Sequence, residues 1–124
     1  MTYKLTAAEV LRRYEEEDLP VFLELKLEDV NQRGNFGDRP IHLACSRGNV
    51  ADVIALIEGG ADVNLLGELN YSALEYAATD GHLDVIRILL EHGASKSNKK
   101  DFGKSALDIA KANGFEDIVR LLAE

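Results

Sequence analysis

Gly81-His82-Leu83-Asp84-Val85-Ile86-Arg87-Ile88-Leu89-Leu90-Glu91-His92-Gly93-Ala94 is the stretch from which the rest of the chain is read. Leu83, Ile86, Leu89 and Leu90 fall at helical spacing, so a helix here has one apolar face. Glycines bound it at both ends, and glycine is the residue that ends a helix without steric cost. The same pattern lies 33 residues upstream, where Gly48, Leu56, Glu58, Gly60 and Ala61 match Gly81, Leu89, Glu91, Gly93 and Ala94. It lies 33 residues downstream as well, where Gly114, Asp117, Arg120 and Leu122 match Gly81, Asp84, Arg87 and Leu89.

Working outward, Asp29-Val30-Asn31 recurs as Asp62-Val63-Asn64, Gly34 as Gly67, and Ser72-Ala73-Leu74 as Ser105-Ala106-Leu107. Ala44, Ala77 and Ala110 stand at the same spacing. Ungapped agreement over this length is the signature of an internal repeat. The repeats are read as 29–61, 62–94 and 95–124. Each runs loop, helix, turn, helix: a first helix with small alanines, a glycine, then a second helix with larger aliphatics. Residues 1–28 are expected to form a divergent N-terminal capping unit. There Thr6 and Glu9 make a capping-box pattern. Leu19, Val21, Phe22, Leu23 and Leu25 fall where a second helix of that unit would lie, with Pro20 awkwardly among them.

These residues resemble the ankyrin repeat family, over essentially 29–124. Arg39-Pro40-Ile41-His42-Leu43-Ala44 is similar to the family's Thr-Pro-Leu-His-x-Ala start, and Gly81–Ala94 to its second-helix consensus. Arg39 departs from threonine, Ala73 and Ala106 from proline, and Asn70 from the hairpin glycine, though asparagine tolerates a left-handed backbone. The resemblance implies an all-α solenoid of stacked helix-turn-helix units with projecting hairpin loops. It also implies a small stand-alone ankyrin protein of bacterial type that binds protein without catalysis.

By that resemblance, a partner is expected at the hairpin tips and the concave face of the first helices. The tips are Asn35, Phe36 and Asp38, then Glu68, Leu69 and Tyr71, then Asp101, Phe102 and Lys104. The first-helix ends add Ser46 and Arg47, Thr79 and Asp80, and Asn113, with Arg13 and Tyr14 from the cap. Phe36, Leu69 and Phe102 make an apolar row at the repeat spacing. Either they fold back on their own hairpins, or they form an interaction edge with aromatic anchors.

Composition narrows the function classes. The 124 residues carry 14 Lys and Arg against 22 Asp and Glu, a formal net charge of −8. That argues against nucleic acid, whose binders carry clustered positive charge. The acid is concentrated toward the N-terminus, in Glu15-Glu16-Glu17-Asp18, Glu24, Glu28 and Asp29. The third hairpin is locally basic, with Lys96, Lys99, Lys100 and Lys104. A basic protein partner would be steered to the acidic surface. No apolar run reaches membrane length, no signal-peptide core forms, and one cysteine excludes an internal disulfide. These features lead us to expect a cytoplasmic protein, monomeric on its own. His42 and Cys45 are spaced for one metal, yet no further ligand is evident, so they read as a loop-bonding histidine and a core thiol. No metal, cofactor or catalytic residue is expected.

The leading reading is therefore a non-catalytic protein–protein interaction module. Two others stay open. One is an immunity protein that neutralises a cognate toxin, a basic nuclease for example. The other is a regulatory or assembly subunit. It would use the apolar C-terminal helix with Ile118, Val119, Leu121 and Leu122, after which the chain stops without a polar cap.

Overall fold

The computed structural model describes residues 3–97 and 105–124. Among the described residues there are seven α-helices and no strand. They are α1 (Ala7–Glu16), α2 (Pro40–Arg47), α3 (Val50–Glu58), α4 (Ala73–Thr79), α5 (Leu83–Glu91), α6 (Ala106–Asn113) and α7 (Glu116–Ala123), with one short 3-10 turn at Glu68–Asn70. Helices α2, α4 and α6 stand side by side as one layer. Behind them lie α3, α5 and α7, each packed on the helix that precedes it in the chain. Hairpin loops project between the pairs, closed by Gly34 N–H donating to Asp38 O (2.7 Å) and Gly67 N–H to Tyr71 O (2.8 Å). This is the expected all-α repeat solenoid.

Local chemistry starts each first-layer helix. Ser72 and Glu75 exchange side-chain and backbone bonds at the start of α4, and Ser105 and Asp108 do so at α6. Such boxes satisfy donors that an α-helix leaves unpaired. At α2 the capping residue is Arg39, which has no side-chain acceptor. His42 takes over half of the box: its Nδ1 accepts from Arg39 N–H at 2.9 Å. The freed guanidinium donates to Asn31 O (2.7 Å) and Leu66 O (3.3 Å), joining two loops.

Packing between pairs follows from side-chain size. Ala44, Ala77 and Ala110 are fully buried where α2, α4 and α6 meet, and their single carbon lets the backbones approach. Leu56, Ile86 and Leu89 fill the core behind them. The recurring asparagines are latches. Asn31 donates to Gly60 O (3.1 Å) and accepts from Asp62 N–H (2.8 Å); Asn64 does the same with Gly93 O (3.1 Å) and Ser95 N–H (2.8 Å). Each ties one loop to the next.

The N-terminal segment differs from expectation. Glu9 N–H donates to Thr6 Oγ1 and Thr6 N–H to Glu9 Oε1, so the α1 capping box forms. No second helix follows it, however: residues 17–24 are turns. Phe22 N–H bonds Leu19 O and Leu25 N–H bonds Phe22 O, three residues back each time. Pro20 supplies no N–H. Asp18 (φ 52°) and Glu24 (φ 63°) are left-handed, which breaks the chain on both sides. Helix α1 packs on α3 rather than lining up with α2. It runs antiparallel to α3, with Ala7 beside Gly59 at one end and Arg13 and Tyr14 on Asp52 at the other.

Candidate functional site

The last turns of α2, α4 and α6 open into a groove on the first-helix face. Two glycines permit the close stacking behind it. Gly48 (φ +68°) and Gly81 (φ +74°) end α2 and α4 in a left-handed conformation. A Cβ on Gly48 would strike the His82 ring at 2.5 Å, and one on Gly81 would meet the Phe115 ring at 3.0 Å. His82 Nε2 uses this proximity to donate to Ser46 O (2.9 Å), satisfying a carbonyl at the end of α2.

The groove holds about 440 Å³, within the ~300–1,000 Å³ typical of ligand sites. Ser46, Thr79, Asp80, Asn113 and Tyr71, all expected at the partner surface, line it. Tyr76, Ile109 and Ala112 line it too and were not expected. The repeat spacing could have found them, because Leu43, Tyr76 and Ile109 are equivalent, as are Ser46, Thr79 and Ala112. Tyr71 and Tyr76 form a tilted ring pair with centroids 5.9 Å apart. Tyr76 donates its hydroxyl to Asp38 Oδ1 at 2.6 Å. Burial, then the Asp38 contact, pushes its phenol well above the usual tyrosine range. The Ser46 hydroxyl donates to Asp80 at 3.4 Å, and Asn113 Nδ2 to Thr79 O at 3.4 Å.

The hairpin tips are built differently from one another. Phe36 is 58% exposed and Leu69 78% exposed, so neither folds back on its hairpin. In the first tip Gly37 alone is left-handed, whereas in the second both Leu69 (φ 55°) and Asn70 (φ 62°) are. Asparagine accepts this conformation; leucine does so at a cost of ~1–2 kcal/mol. Asp38 faces inward, accepting from Glu68 N–H (2.8 Å) as well as Tyr76. Asn35 donates to Pro20 O and Leu23 O, both at 3.0 Å, and so braces the 17–24 turns. Glu68 is exposed. Asp101, Phe102 and Lys104, with Lys99 and Lys100, lie outside the described residues.

The cap residues are corrected. Tyr14 is fully buried and presents nothing to a partner. It stacks on Phe22 at 6.2 Å and donates to Asp52 Oδ2 at 3.0 Å. Arg13 pairs with the same carboxylate, and Arg47 pairs with Glu17 through both terminal guanidinium nitrogens (3.1 and 2.6 Å). Both guanidinium groups lie over the Tyr14 ring, at 5.8 and 5.7 Å. Arg47 is thus a joint residue as much as a surface one. Its bond holds the Glu17 carboxyl below the usual range.

His42 and Cys45 are both buried. His42 Nε2 donates to Leu65 O at 3.0 Å, and burial lowers its basicity, so the ring stays neutral and bridges α2 to the next loop. Burial pushes the Cys45 thiol up, which disfavours the reactive thiolate. Among the described residues no group of three or more His, Cys, Asp or Glu is placed to hold a metal ion, and no helix is long and apolar enough to cross a membrane.

The family model for ankyrin repeats (three copies) matches residues 7–101 and 53–124. No curated protein matches the chain.

Proposed function

The chain belongs to the ankyrin repeat family, and from that premise we propose that it is a non-catalytic module docking one protein partner on its hairpin tips and groove. Ankyrin repeats generally mediate protein–protein interactions. The observation that carries the reading is Leu69, which is 78% exposed in a left-handed turn. Its conformation is unfavourable and its side chain gains no burial within the chain, whereas a partner's surface would supply that burial. Phe36 on the neighbouring tip extends the apolar edge. The reading keeps a cap over 1–28 and units 29–61, 62–94 and 95–124, supported by the α2–α3, α4–α5 and α6–α7 pairs and the Asn31 and Asn64 latches. It makes the chain a cytoplasmic monomer until it meets its partner.

The test is affinity capture from native lysate with Phe36→Ser/Leu69→Gly as control. The substitution at Leu69 removes strain, so the variant should melt no lower than the parent while capturing far less partner. Equal capture of the same protein by both would overturn the role of the tips.

A second reading, that of a bacterial immunity protein, is favoured by the net charge of −8, which suits a basic toxin. It expects a toxin gene beside this one and host growth restored when this chain is co-expressed. Continued killing in the presence of soluble chain would contradict it.

A further inference from the structure

We infer that the groove is a subsite for the guanidinium group of an arginine side chain presented by a basic protein partner. This deepens the proposed function and rests on it. Three observations converge.

The first is the lining. Tyr71 and Tyr76 line it as a tilted ring pair, and Asp80 supplies a carboxylate to the same cavity of about 440 Å³. Among the described residues no lysine or arginine lines it. A flat cation stacks on tyrosine and forms forked bonds to a carboxylate, which an ammonium does less well.

The second is the electrostatic setting. Tyr76 donates its hydroxyl to Asp38, and a phenol that donates a hydrogen bond to a carboxylate has a more electron-rich ring. Glu68 adds negative charge from the neighbouring tip. Arg47, the cation at the end of α2, is held by Glu17 and does not neutralise the groove.

The third is a precedent inside the molecule. At the cap joint a tyrosine donates to a carboxylate and two guanidinium groups lie over its ring: Tyr14, Asp52, Arg13 and Arg47. At the groove's wall Tyr76 donates to Asp38 in the same way, with Asp38 behind the ring and Asp80 as the carboxylate that lines the cavity. The partner would bring the missing arginine.

The experiment uses the full isotope-labelled chain and three blocked glycine–serine heptapeptides with a central arginine, lysine or citrulline. Amide shifts are followed in NMR titrations. The arginine probe is expected to move the resonances of Ser46, Thr79, Asp80 and Asn113, and the citrulline probe to leave them in place. Asp80→Asn should weaken the arginine probe by about two- to fivefold, the size of one exposed carboxylate–guanidinium pair. Asp84→Asn, which removes a charge outside the groove, should not. Citrulline or lysine binding as well as arginine, or an unchanged affinity in Asp80→Asn, overturns the inference. If the arginine probe fails while the chain still captures a partner through Phe36 and Leu69, the subsite falls and the binding module stands. If capture also fails, both fall.

Discussion

At the joint between α1 and α3, Tyr14 sits beneath two guanidinium groups and donates to the buried carboxylate of Asp52, while Arg47 reaches across to Glu17. At the joints between α2, α4 and α6, the meeting side chains are Ala44, Ala77 and Ala110. One joint is held by directional polar contacts between residues far apart in the chain. The others combine close approach with polar contacts such as the Asn31 and Asn64 latches, both repeated at a fixed period. The second kind can be extended by copying a unit, but the first cannot, because its partners occur once.

Cutting into the alanine-packed joints should cost most. Leu74→Ala empties a fully buried site on α4, for an expected loss of ~2–5 kcal/mol in denaturant unfolding. A loss below that range would mean the joint can collapse around the gap. At the cap, Tyr14→Phe removes a buried donor from Asp52, for an expected ~1–3 kcal/mol. Hydrogen exchange should then quicken in α1 before α5. Uniform quickening along the chain would erase the distinction between the joints. The latches are expected to be equal: Asn31→Ala and Asn64→Ala should each cost ~0.5–1.5 kcal/mol, since each loses one donor and one acceptor contact. Unequal values would show that the cap changes the joint beside it.

Glu17→Gln should have the smallest effect, ~0.2–1 kcal/mol, because the pair with Arg47 is partly exposed. Its pH dependence has a definite sign. The folded-state pKa of Glu17 lies below its ordinary value of 4.5 because of Arg47. The stabilisation is therefore present above that ordinary value and is lost as pH falls through the lower, folded value. The parent and Glu17→Gln should differ at neutral pH and converge in acid. A constant difference across the range would remove the ion pair from the account.

The same contrast explains what the sequence made legible. Alanines, glycines and asparagines at a spacing of 33 disclosed the solenoid, since one local environment recurs and selects one residue type each time. Five groove residues were legible through the family resemblance mapped onto that ladder. Tyr76, Ile109 and Ala112 were missed although they share it, because Leu43, Tyr76 and Ile109 differ in chemistry, as do Ser46, Thr79 and Ala112, so no recurring residue type marks those positions. The cap was read by extending the period backwards, which put a helix at Leu19–Leu25 where turns stand. Nothing periodic announces that Tyr14 will find Asp52, 38 positions on. Leu69 looked like a tip residue, but nothing in the pattern announced that its backbone, beside that of Asn70, would be left-handed.

The most direct test of the binding account is calorimetric titration of the captured partner against the parent chain and Phe36→Ser/Leu69→Gly, with melting measured on the same samples. The account predicts at least about a tenfold loss of affinity, the equivalent of ~1.4 kcal/mol, with melting unchanged or raised. Equal affinities for the two chains would contradict it.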